Sequence, residues 1–116
     1  MPMMALTLSI PPEKLASWKQ AMAEIAGPRR AEFAAARRLQ GVRRQGVFLQ
    51  EGPDGPREIL VVEADDPGRA FEMMGTSQEP FDVWLRAMVL DTYKLDLSQP
   101  MGPPPEQLLA WSEDED

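Results

Sequence analysis

The stretch GVRRQGVFLQEGPDGPREILVVEAD, residues 41–65, decides the fold of this chain. It places two segments rich in β-branched and apolar residues on either side of EGPDGP, whose proline and glycine residues are typical of a hairpin loop. The loop is expected to be slightly longer than the tightest kind of hairpin turn. The second segment is apolar from Ile59 to Val62 without a break, which predicts a central, covered strand.

A strand and two helices are predicted on the N-terminal side of this hairpin. Residues 4–10, MALTLSI, alternate larger apolar side chains with smaller ones, which is the period of a strand. After a Pro-Pro pair, an amphipathic helix is indicated by an apolar stripe at helical spacing, Leu15, Trp18, Met22 and Ile25. Gly27 and Pro28 interrupt this helix. A second helix is predicted over residues 28–39, with one stripe formed by Ala31, Ala35 and Leu39.

Two more helices and a last strand are predicted on the C-terminal side. Asp66 followed by Pro67 is typical of an N-cap and a first helical position. The short helix that begins there carries the apolar residues Ala70, Phe71 and Met74. Beyond GTSQEP a longer helix has one apolar side, formed by Phe81, Trp84, Leu85 and Met88. The segment YKLDLSQP then predicts a short strand through Leu95 and Leu97.

The order strand, helix, strand, strand, helix, strand is the split βαβ pattern of ferredoxin-like folds. The sequence therefore predicts an α+β domain over residues 1–99, with an antiparallel four-stranded sheet that has helices on one face. The other face needs a cover, and a second copy of the chain would supply it, so a homodimer is expected. Residues 100–116 form a Pro-rich arm and an acidic tail. The arm is expected to lie across the partner subunit through its apolar residues, Leu108, Leu109 and Trp111.

The composition excludes several kinds of site. The 116 residues suffice for one compact domain, and they include neither cysteine nor histidine. Disulfides, thiolate chemistry and the usual ligands of zinc and haem are therefore missing, and neither a metal nor a cofactor is expected. There is no apolar run of about 18 residues and no signal-peptide pattern. We expect a cytoplasmic protein with no membrane partner.

Charge is distributed unevenly along the chain. Residues 1–50 hold eight Lys and Arg against three acids, whereas residues 51–116 hold four against sixteen, and the whole chain has a net charge of −7. The two halves are expected to face each other, within one subunit or between two. Because an acidic protein repels duplex DNA, nucleic acid is not expected as a partner.

The element order and the segments GVRRQGVFLQ, VVEADDPGRAF, SQEPFDVWLR and LDLSQP resemble a family of small bacterial proteins, a branch of unknown function in the dimeric α/β-barrel superfamily. The resemblance covers roughly residues 4–110. It implies two sheets packed back to back in a homodimer, often with a pocket between sheet and helices. The superfamily includes cofactor-free monooxygenases acting on polyketide quinones, cyclases, lactone isomerases, haem-degrading enzymes and proteins without known activity. The resemblance transfers no catalytic residue, and the absence of histidine disfavours haem degradation.

Three arginine pairs, at residues 29–30, 37–38 and 43–44, have three interpretations. A nucleic-acid surface is disfavoured, because RNA-binding sheets need exposed aromatic residues and only Phe48 is available on the strands. The pairs can form a solvated basic surface that pairs with the acidic half of the chain. Alternatively, Arg37 and Arg44 can hold an anionic or enolate-like ligand at the mouth of a pocket.

Other candidates come from the aromatic and acidic residues. The only tyrosine, Tyr93, or a buried carboxylate must perform any acid–base chemistry, because histidine and cysteine are absent. Side chains two residues apart in a strand point to the same face, so Glu63 points inward only if Val61 does. The candidate ligand-binding residues are Trp18, Arg37, Arg44, Phe48, Glu63, Trp84 and Tyr93.

Two functions remain open on the sequence. The first is a homodimeric small-molecule-binding module or cofactor-free enzyme of the monooxygenase, isomerase or cyclase kind. It would have an apolar aromatic pocket and a small apolar or anionic ligand. The second is a non-catalytic structural or protein-interaction dimer in which the same aromatic and methionine side chains fill the core.

Overall fold

The computed structural model describes residues 2–114 and has an α+β fold. Its strands are β1 (Met3–Ser9), β2 (Val42–Gly52) and β3 (Gly55–Ala64). Its helices are α1 (Leu15–Ala26), α2 (Arg30–Leu39), α3 (Pro67–Thr76) and α4 (Pro80–Tyr93), and a short 3-10 turn, Pro12–Lys14, precedes α1. Within residues 2–114, no helix combines the length and the apolar composition that are needed to cross a bilayer.

The three strands form one antiparallel sheet in the order β1-β3-β2. The predicted central position of Ile59 to Val62 is confirmed, because β3 pairs with a strand on each side. Successive side chains of β3 point to opposite faces. Val62 and Ala64 are fully buried beneath the helices, whereas Ile59 and Val61 on the other face are only half-buried. This chain therefore covers β3 on one face only.

The hairpin is tighter than predicted. Gly52 pairs with Gly55, so that only Pro53 and Asp54 form the tip. Proline fits the first central position of a turn, because its ring fixes φ near the required value. Gly55 has a φ of 96°, a left-handed conformation that glycine adopts readily. The glycine pair thus allows the strands to continue further into EGPDGP than the loop prediction assumed.

Helix α3 begins as the sequence predicts. The Asp66 side chain accepts a hydrogen bond of 3.1 Å from the Arg69 backbone amide, and Pro67 occupies the first helical position. Ala70 and Met74 then pack into the core against Val62 and the rest of the sheet. The cap and the apolar stripe together fix α3 on the sheet.

The buried face of α2 differs from the predicted one. Ala31, Ala35 and Leu39 are exposed, and Leu39 keeps 70% of its surface. The helix instead turns Ala36 toward Phe81 of α4, and the rings of Phe33 and Phe81 meet edge to face at 6.0 Å. An aromatic contact buries more apolar area than an alanine stripe. The contact between Phe33 and Phe81 therefore decides which side of α2 faces the core.

The strand predicted through Leu95 and Leu97 is not a strand in the structure, and the described residues contain no fourth strand. Helix α4 continues to Tyr93 and ends at Lys94, which has a left-handed φ of 56°. The Asp96 side chain then accepts hydrogen bonds from the backbone amide and hydroxyl of Ser98, and these bonds lower the pKa of Asp96. A turn therefore replaces the expected strand.

One face of the sheet is not covered by the helices, and we call it the open face. The register places Thr7, Ile59 and Phe48 in one row across it, and Ala5, Val61 and Gly46 in the next. Phe48 is 59% exposed, and its ring lies over Gly46. The centre of the open face is therefore apolar in a single chain. The arm also exposes large apolar side chains, Leu108, Leu109 and Trp111.

Candidate functional site

A cavity of about 430 Å³ lies between the helix-covered face of the sheet and the helices. Most of its wall is apolar and comes from all three strands, α1 and α4, and includes Leu6, Leu8, Leu49, Leu60, Met88 and Val89. Cavities of about 300–1,000 Å³ with apolar walls and few polar groups are typical of small-molecule sites. Two buried polar clusters border this cavity, one at Glu58 and one at Arg37.

The first cluster is centred on the carboxylate of Glu58, which is 8% exposed. Its Oε1 atom accepts one hydrogen bond from the Trp18 indole, at 2.8 Å, and another from the Tyr93 hydroxyl, at 2.6 Å. The bonds join β3 to α1 and to the end of α4. Both donors are neutral, so they fix the orientation of the carboxylate without neutralising it.

The strand period explains why Glu58 lies inside. Glu58 shares its face of β3 with Leu60, Val62 and Ala64, all of which point toward the helices. This face is apolar except for Glu58. The helical stripe that brings Met22 to the cavity also brings Trp18 there.

Burial raises the pKa of the Tyr93 hydroxyl far above its ordinary value, and the bond to the Glu58 carboxylate raises it further. Desolvation disfavours the phenolate, and the nearby carboxylate disfavours a second negative charge. Tyr93 therefore remains a hydrogen-bond donor throughout the neutral pH range and cannot serve there as a base.

The second cluster is centred on Arg37, which is 7% exposed. Its Nε atom donates to Gln45 at 2.7 Å and its Nη1 atom donates to Gln40 at 2.8 Å. Nη1 also lies 4.0 Å from Asp82, a residue that is only 2% exposed, and Gln40 donates to both Asp82 oxygens. The guanidinium faces the Phe33 ring at 4.9 Å. These contacts hold the charge rigidly.

Burial lowers the pKa of Arg37 to about 10, although the Asp82 carboxylate opposes this shift. The guanidinium remains charged near neutral pH, and it is a buried cation with its own counter-ion. The cavity thus has an ion pair at one end and a lone carboxylate at the other.

The structure brings three of the seven predicted site residues to this cavity: Trp18, Arg37 and Tyr93. Arg44 and Glu63 form an ion pair of 3.4 Å on the open face, where Glu63 shares the parity of Val61. Phe48 also lies on the open face. Trp84 lies beside α2, where its ring is 4.4 Å from the Arg29 guanidinium and contacts Phe81. Sheet alternation separates the open-face residues from the cavity.

The remaining arginines are accounted for mainly by acids. Arg29 pairs with Glu24 and Glu32, and Arg43 pairs with Asp65 at 3.3 Å. Arg30 and Arg38 are exposed. The interpretation as a basic surface that pairs with acids therefore describes most of the arginines, and Arg37 alone of the six has a buried guanidinium.

Sequence reasoning missed four polar residues of the two clusters: Gln40, Gln45, Glu58 and Asp82. Glu58 could be recognised from the sequence, since it lies an even number of residues from Leu60 and Val62 and therefore on the apolar face of a central strand. A charge is costly there. Gln40, Gln45 and Asp82 had no such signal, because a glutamine after a helix, a glutamine in a strand and an acid in a first helical turn are all ordinary at the surface.

The described residues contain no group of three or more acidic side chains that could hold a metal ion. A second cavity, of about 690 Å³, lies between β1, α3 and residues 97–105. Its lining includes one charged side chain, Glu72, which is exposed. It therefore offers few directed polar contacts to a ligand.

Comparison of the chain with models of known families, with curated proteins and with solved structures found no match. The site is therefore characterised by its own geometry, which is an apolar cavity with a fixed carboxylate at one end and a fixed guanidinium at the other.

Proposed function

We propose that this chain is a small-molecule-binding protein that works as a homodimer and takes its ligand into the 430 Å³ cavity. The observation that carries the proposal is the pair of buried charged groups, Glu58 and Arg37, on an otherwise apolar wall. Burying charged groups costs free energy, and a well-packed apolar core would be at least as stable without them. Their retention beside a cavity is the pattern of a binding site.

The cavity volume supports binding over the alternative of a filled core. In a structural dimer the aromatic and methionine side chains would close the space between sheet and helices. Met22, Met74 and Met88 instead line the cavity, and unbranched methionine adapts its shape to a ligand.

The proposed homodimer is a dimeric α/β barrel of ferredoxin-like subunits. The strand order β1-β3-β2 supports it, since a ferredoxin-like sheet places its first three strands in this order. The open face supports it too, because its apolar centre, Ile59, Val61 and Phe48, needs a partner surface. Arg44, Glu63 and Arg57 would form a charged rim around that centre. The exposed arm would lie across the partner.

Binding is the core of the proposal, and a cofactor-free reaction is its extension. In such a reaction Glu58 would be the proton acceptor, because Tyr93 stays protonated. An anion held jointly by Arg37 and Arg44 has less support, since Arg44 lies on the opposite face of the sheet.

Native mass spectrometry of the purified protein tests the proposal. We expect a dimer that carries additional small-molecule mass. The variant Leu49→Trp places an indole in the cavity and is expected to lose this mass, whereas Leu39→Trp, on the exposed side of α2, is the matched control and is expected to keep it. A mass retained equally by both variants would show that the ligand binds elsewhere. A dimer without additional mass would favour the filled core.

A further inference from the structure

We infer that the ligand is an apolar amine whose ammonium group pairs with the Glu58 carboxylate. This inference rests on the proposed function and specifies the charge of the molecule that the cavity takes. It follows from three features of Glu58: the missing counter-ion, the free oxygen atom and the aromatic surroundings.

Glu58 has no opposite charge beside it among residues 2–114. Its two partners, Trp18 and Tyr93, are neutral, and none of the ion pairs found in this range includes Glu58. The acid of the other cluster, Asp82, differs because Arg37 accompanies it. A buried carboxylate is offset effectively only by a cation and by good hydrogen-bond geometry. Glu58 has well-formed hydrogen bonds, but no cation within residues 2–114 pairs with it.

The second carboxylate oxygen of Glu58 faces accessible space. Both hydrogen bonds end on Oε1, and no donor within residues 2–114 bonds to Oε2. In the same range, every fully buried side-chain oxygen or nitrogen has a partner. Oε2 is therefore not sealed, and since Glu58 lines the cavity, it is the atom that a ligand can reach.

The two cations on the cavity lining, in the part of the chain that the structure describes, do not supply the missing charge. Arg37 is held at Gln45, which pairs with Val62, whereas Glu58 pairs with Leu49. Leu49 lies four positions after Gln45 in the same strand, a distance of about 13 Å at the usual rise per residue. The second cation on the cavity lining, Arg30, is exposed in the first turn of α2, where water and salt screen its charge. Since no cation on the cavity lining within residues 2–114 neutralises Glu58, we assign the positive charge to the ligand.

The surroundings of Glu58 suit an organic cation. The rings of Trp18 and Tyr93 lie beside the carboxylate, and their apolar carbon atoms suit the organic part of a cation that is bound there. The two sheet partners of Glu58, Leu8 and Leu49, are aliphatic and also line the cavity, which suits an apolar body. A net charge of −7 also attracts cations to the protein as a whole. A hydrated metal ion would gain nothing from these apolar walls.

Calorimetric titration with three probes of nearly equal shape tests the inference: 1-naphthylmethylamine, 1-naphthalenemethanol and 1-naphthoic acid. We expect the amine to bind at least about tenfold more tightly than the alcohol, since a charge-assisted bond to a buried carboxylate is worth more than a neutral one. The acid is expected to bind most weakly. In Glu58→Gln the advantage of the amine should disappear while the alcohol still binds, because glutamine keeps an acceptor for Trp18 and Tyr93.

The outcomes separate the inference from the proposed function. If the alcohol or the acid binds the unaltered protein as tightly as the amine, the inference is wrong and the binding function stands. If none of the three binds and no mass accompanies the purified dimer, both are wrong. If Glu58→Gln keeps the full preference for the amine, the cation is held elsewhere and the assignment to Glu58 fails.

Discussion

The Tyr93 hydroxyl donates to the Glu58 carboxylate at 2.6 Å and so ties the last turn of α4 to the centre of β3. Because Tyr93 is the only tyrosine, its ionisation can be followed directly by the near-ultraviolet absorbance of tyrosinate. We expect no tyrosinate in the native protein at about pH 11, and a normal titration near pH 10 after unfolding in urea. Glu58→Gln should bring the native titration closer to the normal one, since it removes a negative charge.

The same contact makes the free energy of unfolding depend on pH in the alkaline range. The pKa of Tyr93 is higher in the folded state than in the unfolded state, so its contribution is complete below about pH 10 and is lost as the pH rises further. Arg37 changes the free energy of unfolding in the opposite direction as the pH rises, since its pKa of about 10 lies below its ordinary value. The contribution of Tyr93 is therefore isolated by comparison with Tyr93→Phe, whose urea midpoint should fall less between about pH 9 and pH 11. An equal fall in both proteins would contradict the assignment.

Trp18 and Tyr93 share one acceptor atom, and their substitutions should not be additive. We expect Trp18→Phe and Tyr93→Phe each to lower the free energy of unfolding by about 1–3 kcal/mol, because each removes a donor from a buried carboxylate. The loss of unfolding free energy in the double variant should differ from the sum of the two single losses by about 0.5 kcal/mol or more, since residues of one network are coupled. Urea unfolding measures all three. Trp111→Phe, at a side chain that is 78% exposed, is the control and should change little.

The local signals of the sequence predicted most of the elements. The two strands of the hairpin, the Asp66 cap and the stripe of α4 depend on residues close together in the chain, so pattern alone placed them. The rotation of α2 depends on which helix it meets, and its alanine stripe carried no information about Phe81. The fourth strand was predicted because Leu95 and Leu97 alternate, whereas the turn at Asp96 prevailed.

The site was predictable only in part, for a related reason. Trp18, Arg37 and Tyr93 were selected by residue type, and type does not determine the direction of a side chain. Phe48 is an aromatic candidate of the same kind, yet the strand period sends it to the open face. Glu58 was detectable from the sequence, because it lies four residues before Val62 and therefore on the same face of the strand, where a buried charge is costly.

The ion pair between Arg37 and Asp82 should show the asymmetry of buried charges. Arg37→Met leaves Asp82 without its cation, and we expect a loss of about 3–5 kcal/mol in the free energy of unfolding. In the double variant Arg37→Met/Asp82→Leu neither charge remains, so stability should recover partly. Urea unfolding of the two variants checks this. A double variant that is less stable than Arg37→Met would show that the remaining contacts of Asp82, with Gln40, matter more than its charge.

Gly75 allows the chain after α4 to lie against α3. A Cβ atom at this position would collide with the backbone carbonyl of Leu97, which has little freedom to move. We therefore expect Gly75→Ala to detach residues 95–105 from α3 and to make them sensitive to limited proteolysis. Gly102→Ala lies in the same segment with open space around its Cβ position, and it should behave like the unaltered protein. Equal proteolysis of the two variants would mean that residues 95–105 do not depend on contact with α3.

The open face provides the sharpest test of the homodimer. Phe48 is 59% exposed and Leu39 is 70% exposed, so lysine at either position should cost a single chain little stability. If two open faces pack together, Phe48→Lys buries a charge at the centre of the interface. We then expect the dimer to weaken by roughly 30-fold or more, the effect of losing a central anchor.

Sedimentation equilibrium at several protein concentrations measures this dissociation constant. Leu39→Lys adds the same charge on α2, outside the proposed interface, and should leave the constant unchanged. If instead Leu39→Lys weakens the dimer while Phe48→Lys does not, the subunits associate through α2. The apolar centre around Ile59 and Val61 would then need another partner. If the unaltered protein is monomeric throughout, the proposed barrel is wrong, and the cavity must bind its ligand within one chain.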